Sequence, residues 1–255
     1  MRRATLTRFH IVVIVAVISG TAAFVLHNFI LLNAVVFALL IVMGFGAAVP
    51  QLGFFGNFIC FGNNSKKCVA LTFDDGPDPR STPQLLELLR AEGIPASFFC
   101  VGKNVAANPA LAARIVHEGH LLENHSHAHS NFTNFFSTAR LQAELAQTQA
   151  VIEKSSGVAP KLFRPPVGLS NPCTFRAARN LDLKVVGWTI RSLDTVIASP
   201  EKVVARIKRG LKSGAIILLH DGNIPAEKLV ATVKSLLDTL RGLGYEIVRL
   251  DELLK

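Results

Sequence analysis

Apolar residues run almost without interruption through the first 50 positions of the chain, and shorter apolar stretches alternate with polar ones after that. The first part divides into two runs, residues 9–26 and 29–50, separated by the polar pair His27-Asn28. A helix needs about 20 apolar residues to cross a bilayer, a length that the second run reaches and the first approaches. We therefore predict a transmembrane anchor over residues 1–52, formed as a two-helix hairpin.

Two other interpretations of this apolar segment stay open. A cleaved signal peptide also has a basic start and an apolar centre, although no small-residue cleavage site precedes a polar mature sequence here. The other is a single uncleaved span followed by a second segment that lies at the interface. Residues 53–67 are rich in glycine and phenylalanine, as is typical where a chain leaves a bilayer. We expect them to form an interfacial linker.

From residue 68 onward, strand-like runs alternate with helix-like ones. The predicted strands are residues 68–73, 95–101, 120–123, 161–163, 183–188, 215–219 and 246–248. The predicted helices are residues 82–91, 109–118, 138–154, 172–180, 200–211 and 225–240. This alternation predicts a parallel sheet, but a closed barrel of eight units typically takes about 250 residues. We expect residues 68–255 to form an α/β domain, a distorted and incomplete (β/α) barrel of about seven parallel strands.

Charge is distributed unevenly along the chain. Residues 1–67 hold five of the 27 Lys and Arg and no acidic residue, whereas the remaining 22 basic and 18 acidic side chains leave a net charge of +4. No stripe of basic residues with interleaved aromatics is visible, so we expect no nucleic-acid partner. The basic start favours an N-terminus on the cytoplasmic side of a cell membrane. A hairpin would then keep the following domain on the cytoplasmic side, and a single span would place it on the outer side. The side of the membrane on which the domain lies therefore stays open.

The four cysteines do not indicate a structural metal site. Cys60, Cys68, Cys100 and Cys173 form no CxxC pair, which structural zinc sites typically contain. We expect all four to be free thiols, since buried free cysteine is common. The even count also permits disulfides, so the redox compartment is not determined.

Ionisable side chains follow five of the predicted strands at the point where each strand ends. They are Asp74 and Asp75 after the first strand, His125 and His129 after the third, Arg164 after the fourth, Asp194 after the fifth and His220 after the sixth. The carboxyl ends of parallel strands meet at one edge of the sheet, where α/β proteins place their ligands and their chemistry. We predict one site at this edge.

The spacing of two histidines suggests a metal centre within this site. His125 and His129 are four residues apart, so one turn of chain can direct both rings at one ion. Two imidazoles with a carboxylate such as Asp75 are a common ligand set for a catalytic divalent ion. His127 lies two residues from each histidine, and we expect it not to be a ligand. A solvated histidine loop is the alternative interpretation.

Four motifs, taken together, resemble a known family of enzymes. They are Thr72-Phe-Asp-Asp-Gly-Pro77, His125-Ser-His-Ala-His129, Arg164-Pro-Pro-Val-Gly168 and Leu218-Leu-His-Asp221. In this order they are similar to the motifs of the polysaccharide deacetylases, the NodB-homology or carbohydrate esterase family four enzymes. The resemblance covers roughly residues 67–250. It implies a distorted (β/α) barrel that removes acetyl groups from N-acetylated sugars with the help of a divalent metal.

The resemblance also implies roles for individual residues. Asp75, His125 and His129 would hold the metal, with zinc as the expected ion and cobalt, nickel or manganese as alternatives. Asp74 would be the general base and His220 the general acid.

Four further positions take supporting roles by the same resemblance. Arg164 would orient Asp74, and Asp194 would orient His220. The substrate and the oxyanion would lie near Val167, through its main-chain N–H, and near Leu218.

The sequence departs from the family pattern at three positions near the substrate. The family usually has tyrosine where Val167 stands, aspartate where Arg191 stands and tryptophan where Thr195 stands. Trp188 is the only tryptophan of the chain, and it either lines the pocket instead or belongs to the core. These departures leave the expected acid, base and metal ligands in place but put the preference for substrate and acyl group in doubt.

Three functions remain for comparison with the structure. The leading hypothesis is a membrane-anchored, metal-dependent hydrolase that removes N-acetyl groups from amino sugars of a polysaccharide or oligosaccharide, either peptidoglycan or a chitin-like glycan. The first alternative is a deacylase of a lipid-linked amino sugar at the membrane surface. The second is a non-catalytic glycan-binding module, which the presence of all six key side chains disfavours.

Overall fold

A computed structural model of the protein describes residues 7–255, so the basic Arg2 and Arg3 of the predicted cytoplasmic start lie outside the described residues. The first two helices, α1 (Arg8–Val25) and α2 (Phe29–Ala48), pack against each other as a hairpin. At about 1.5 Å per residue they are roughly 27 and 30 Å long, close to the thickness of a bilayer core. Most of their apolar side chains are exposed or half-exposed, and only Ala23 and Gly46 are buried. This length and composition suit membrane anchors, and a signal sequence has the same features.

The rest of the chain forms a single parallel sheet with helices packed around it. The strands are β1 (Cys68–Asp74), β2 (Ser97–Cys100), β3 (Leu121–Asn124), β4 (Leu162–Phe163), β5 (Lys184–Val185), β6 (Ile190–Arg191), β7 (Ala215–His220) and β8 (Glu246–Ile247). Their spatial order is β5-β4-β3-β2-β1-β7-β6, and β8 pairs with the start of β1. The seven strands of this path curl into a half-barrel, which confirms the predicted incomplete barrel.

The helices of the domain occur where the alternating pattern predicts them, with two additions. They are α3 (Thr82–Glu92), α4 (Gly102–Ala107), α5 (Pro109–His117), α6 (Thr138–Ser156), α7 (Pro172–Asn180), α8 (Pro200–Gly210), α9 (Ala226–Gly242) and α10 (Leu250–Leu253). The six predicted helices agree with the structure to within two residues at each end. Two of them begin at side-chain caps followed by proline, since Asn171 Oδ1 accepts from Thr174 N and Ser199 Oγ accepts from Lys202 N.

Strand β1 is the centre of the fold. All seven of its residues are buried, and it pairs with β2 on one side and with β7 on the other. Its register with β7 places Asp74 opposite His220. Asp74 is the last residue of this buried strand and Asp75 follows it directly, so both acids lie at the carboxyl edge of the sheet.

The fifth predicted strand, residues 183–188, is wrong in its extent. The chain pairs only over β5, leaves the sheet, and pairs again over the short β6, which was not predicted. The carbonyl of Gly187 accepts from Arg164 Nη2, and the carbonyl of Trp188 accepts from Gln51 Nε2. Because these carbonyls serve side chains instead of a neighbouring strand, the run is interrupted. Asp194 therefore follows the sixth strand of the structure rather than the fifth.

The segment expected to be an interfacial linker packs against the domain. Phe54 and Phe55 are buried. Ile59 forms a parallel bridge with Val186, and Phe61 forms an antiparallel bridge with Ala215. Residues 53–67 therefore connect the chain after β5 to the start of β7, on the side where the half-barrel is open. All four cysteines are free, in agreement with the prediction.

Candidate active site

The carboxyl edge of the sheet encloses a cavity of about 290 Å³. The residues around it are Asp74, Asp75, His125, His129, Val167, Gly168, Trp188, Arg191, Thr195, Leu218, His220 and Asn223. Of the nine residues predicted for the site, seven line this cavity directly. Arg164 and Asp194 lie behind it, each in contact with one of the lining residues.

Asp75, His125 and His129 form one group of potential ligands. The Nε2 atoms of His129 and His125 lie 3.1 Å and 3.4 Å from Asp75 Oδ1. The Nδ1–H of His125 donates to the carbonyl of Arg164 at 2.7 Å, which orients the ring so that its Nε2 faces Asp75. Two imidazole nitrogens and one carboxylate oxygen, all within 4.8 Å of one another, fit the requirements of a divalent ion with open coordination positions.

The loop after β3 owes its shape to hydrogen bonds from neighbouring side chains. Asn124 Oδ1 accepts from Ser126 N, and Glu144 Oε2 accepts from His127 N and Ala128 N. The ring of His127 turns toward Gly102, where an added Cβ would clash with its Nδ1. His127 is therefore not part of the ligand group, as its position in the sequence suggested.

The hydrogen bonds from the two histidines determine the protonation state of Asp75. Burial alone would raise the pKa of this carboxyl, but hydrogen bonds from His125 and His129 outweigh it and hold the pKa well below its usual range. Asp75 is therefore an anion at neutral pH, as a metal ligand must be.

Arg164 holds Asp74 in a buried ion pair. Its Nη1 donates to Asp74 Oδ1 at 2.6 Å and to Thr72 Oγ1 at 2.9 Å, and its Nη2 donates to the carbonyl of Gly187. The guanidinium is fully buried and stacks on the ring of Phe99. Asp74 keeps a second oxygen, Oδ2, on the side of the ligand histidines, 3.8 Å from Nε2 of His125. One carboxylate oxygen is thus fixed by arginine while the other faces the cavity.

His220 and Asp194 form a second buried pair across the cavity. The Nδ1–H of His220 donates to Asp194 Oδ1 at 2.8 Å, and the main-chain N–H of His220 donates to Oδ2. Burial of His220 opposes its protonation, but the hydrogen bond to Asp194 outweighs burial and raises the pKa of the imidazole to about 9. Burial alone would raise the pKa of Asp194, but the same bond lowers it. His220 is therefore a cation at neutral pH with Nε2 available as a proton donor.

A sequence model of the polysaccharide deacetylases matches residues 61–186 of the chain. A peptidoglycan-N-acetylglucosamine deacetylase of Bacillus cereus is 37% identical over 194 residues, which are 75% of this chain and 90% of that protein. The chain belongs to the polysaccharide deacetylase family. This membership confirms the resemblance carried by the four motifs.

Solved structures of the family resemble this fold closely. A carbohydrate esterase family four (CE4) pseudoenzyme of Bacillus anthracis has a TM-score of 0.72 at 27% identity, covering 78% of this chain and 69% of that one. A family 4 acetyl xylan esterase of Clostridium thermocellum, in complex with a cobalt ion, has a TM-score of 0.68 at 37% identity, covering 73% and 90%. Because one of these relatives is a pseudoenzyme, the fold alone does not decide whether a member is active, and the side chains must.

The positions that depart from the family pattern lie together on one wall of the cavity. Val167 has a left-handed backbone (φ 51°) and is half-exposed, a conformation that is strained for a β-branched residue. A Cβ on Gly168 would clash with the ring of Trp188. Trp188 is buried and also lines the cavity, so both interpretations that the sequence left open describe part of its position. The guanidinium of Arg191 lies 5.8 Å from the same ring.

The sequence analysis gave no role to Asn223, which lines the cavity, and none to Asp221. Asp221 is fully buried, and its Oδ2 accepts from Thr82 Oγ1 at 2.6 Å. Burial raises the pKa of this carboxyl to about 7. An added Cβ on Gly76 would clash with the same carboxylate, so the loop after Asp75 can pack this closely only with glycine there. Asp221 is part of the fourth motif, but its contact with the loop at Gly76, far away in the sequence, is visible only in the fold.

Proposed function

We propose that this protein is a divalent-metal-dependent deacetylase, anchored in a membrane by α1 and α2, that removes N-acetyl groups from the amino sugars of a glycan. The observation that carries this proposal is the sharing of one cavity by three kinds of group. These are the His–His–Asp ligand group, an arginine-paired carboxylate (Asp74), and a carboxylate-paired histidine (His220). Metal-assisted hydrolysis of an amide can use one group of each kind, to activate water, to accept its proton and to protonate the leaving amine.

Asp75, His125 and His129 would hold the ion. A divalent metal bound there supplies Lewis acidity for the attack of water on the acetyl carbonyl. The related acetyl xylan esterase is in complex with a cobalt ion, which supports a divalent metal in a protein of this fold. Zinc suits two imidazoles and a carboxylate and is the ion we propose, with cobalt, nickel or manganese as alternatives.

Asp74 would act as the general base. Arg164 occupies Oδ1, so Oδ2 is left facing the cavity, where it can accept a proton from the attacking water. Because this ion pair is buried, the hydrogen bond from Arg164 holds the Asp74 carboxylate in one orientation.

His220 would act as the general acid. The leaving amine must gain a proton when the C–N bond breaks, and a histidine kept protonated by Asp194 can donate it from Nε2. Asp194 touches His220 rather than the cavity, so it is a positioning residue. Main-chain N–H groups near Val167, and the wall formed by Leu218, would contact the acetyl group and its oxyanion.

The substrate is proposed from the relatives and from the cavity. The Bacillus cereus relative is named a peptidoglycan-N-acetylglucosamine deacetylase, which favours an N-acetylglucosamine-containing glycan, peptidoglycan or a chitin-like oligosaccharide. The experiment is a comparison of acetate release from chitin oligomers and peptidoglycan fragments, with and without a chelator. Release that is insensitive to chelation and to metal addition would refute the proposal.

A lipid-linked amino sugar is a second candidate substrate, and one structural observation favours it. The end of α2 reaches the edge of the sheet that carries the cavity, since Ser170 N donates to the carbonyl of Ala47 and Gln51 Nε2 donates to that of Trp188. A reporter fused after Lys255 would reveal the side of the membrane on which the domain lies. A cytoplasmic domain would favour the lipid-linked substrate, and an external one would favour the polymer.

A non-catalytic glycan-binding role would follow the example of the related pseudoenzyme. It is disfavoured here because Asp74, Asp75 and His220 are present and both buried pairs are formed. Acetate release by the purified protein would exclude it.

A further inference from the structure

The most exposed large apolar side chains of the domain lie together at one edge. Among the described residues outside the hairpin, Phe135, Val196, Phe132 and Val167 are 83%, 77%, 69% and 50% exposed, and every other large apolar residue there is at most 40% exposed. These four belong to three separate loops, after β3, β4 and β6, and all three loops lie at the carboxyl edge of the sheet. We call these four residues the apolar rim.

The segments of these loops that bear the apolar rim contain no ionisable side chain. Residues 130–139, 165–175 and 195–200 contain no Lys, Arg, Asp, Glu or His, although ionisable residues surround them in the sequence. A charge would have to be desolvated on contact with an apolar phase, at a cost of several kcal/mol or more. These loops can therefore approach such a phase without that penalty.

The apolar rim is continuous with the hairpin through direct hydrogen bonds. The turn that bears Phe132 and Phe135 is linked to the next loop, because Asn171 Nδ2 donates to the carbonyl of Asn134. The neighbouring Ser170 N donates to the carbonyl of Ala47, in the last turn of α2. The end of the proposed membrane anchor is therefore linked to two of the three segments, and the third, which bears Val196, follows β6 at the same edge of the sheet.

From these relationships we infer that the apolar rim lies on the surface of the lipid bilayer, so that the cavity opens toward the membrane. The inference rests on the proposed anchoring of α1 and α2 in that membrane. A helix that ends at the bilayer surface brings the loops bonded to it to the same level, where phenylalanine side chains reach the acyl boundary. The glycan that enters the cavity would then be one that the membrane presents, with its lipid anchor beside the apolar rim.

Tryptophan fluorescence tests the position of the rim without any use of catalysis. The full-length variant Phe135→Trp is placed in phosphatidylcholine nanodiscs, with or without lipid brominated on the acyl chain. Leu243→Trp is the matched control, because Leu243 is exposed but follows α9, away from the carboxyl edge. The wild type corrects for Trp188, the only native tryptophan.

We expect the emission of Phe135→Trp to shift to shorter wavelength and to be quenched by brominated lipid, while the emission of Leu243→Trp is not quenched by it. Equal and weak quenching of both variants would overturn the inference. Extraction of membranes with alkaline carbonate tests the anchoring of α1 and α2 separately from the position of the apolar rim. If Phe135→Trp stays in the membrane but its added fluorescence is not quenched, the rim alone is refuted, and a protein that is released refutes anchoring and rim together.

Kinetics supply a second readout. The double variant Phe132→Ser/Phe135→Ser leaves every proposed ligand, acid and base in place. We expect its KM to rise several-fold for an alkyl N-acetylglucosaminide embedded in vesicles and to stay unchanged for a soluble chitin oligomer. An equal change for both substrates would contradict a membrane-facing rim.

Discussion

Asp74 and His220 are paired residues of the neighbouring strands β1 and β7, and both side chains line the same cavity. Six consecutive residue pairs fix the register of these two strands, from Val69 with Ala215 to Asp74 with His220. The proposed base and the proposed acid are therefore positioned by the central ladder of the sheet. Each is then oriented by a buried partner of opposite charge, Arg164 or Asp194.

The Asp194→Asn variant tests the proton donor through the pH dependence of the reaction. A general acid must be protonated, so the rate is retained below the pKa of His220 and lost as the pH rises through it, at about 9 in the wild type. A hydrogen bond to a charged group is worth about 1.5–3 kcal/mol, and one pKa unit corresponds to about 1.4 kcal/mol. We expect the alkaline limb of kcat/KM to move to lower pH by about one unit or more.

Ser192→Ala is the matched control for that variant. It removes the hydrogen bond that the uncharged Ser192 hydroxyl donates to Asp194 Oδ1 and the one that it accepts from Asp194 N, and it leaves the bond from the His220 ring in place. We expect a much smaller movement of the limb. An alkaline limb that stays at the wild-type position in Asp194→Asn would show that His220 is not the group that titrates.

Replacement of Arg164 by methionine tests the buried ion pair. Removing one partner leaves the other charge buried without compensation, which typically costs about 3–5 kcal/mol. We expect Arg164→Met to lower both the unfolding temperature and the rate of acetate release. The exposed Arg90, changed to methionine in the same way, should leave both unchanged. Wild-type stability in Arg164→Met would mean that the pair does not hold Asp74 in place.

Replacement of Gly168 by alanine tests the fit between the loop after β4 and Trp188. Gly168 has a left-handed backbone (φ 72°), which costs other residues about 1–2 kcal/mol, and its added Cβ would also clash with the Trp188 ring. We expect a lower unfolding temperature and a higher KM. Gly242→Ala is the control, since nothing lies within 4 Å of its Cβ position at the end of α9. A neutral or stabilising Gly168→Ala would refute the close packing.

Sequence reasoning succeeded where local patterns carry the information. The apolar run of β1 ends in two acids followed by Gly76-Pro77, so both the strand and its edge were predictable. The four-residue spacing of His125 and His129 likewise predicted a shared ligand group, which the structure brings together with Asp75. The roles assigned to these residues stay predictions until they are tested.

Long-range contacts explain what the sequence did not provide. The strand predicted at residues 183–188 breaks because Arg164 and Gln51 take the carbonyls of Gly187 and Trp188, and neither partner is near in sequence. Helix α4 begins at a glycine and spans six residues, too few for a clear amphipathic pattern. The packing of residues 53–67 onto the open side of the barrel depends in the same way on strands that follow much later.

The most direct test of the proposed function measures both bound metal and acetate release. The wild type, Asp74→Asn and His129→Ala are purified separately by the same procedure and compared. Asparagine preserves an acceptor for Arg164 and leaves the three ligands unchanged. We expect Asp74→Asn to retain the metal and to lose roughly 10²- to 10⁴-fold in rate, and His129→Ala to lose both metal and activity. Loss of metal in Asp74→Asn, or wild-type turnover by His129→Ala, would contradict the roles proposed for these residues.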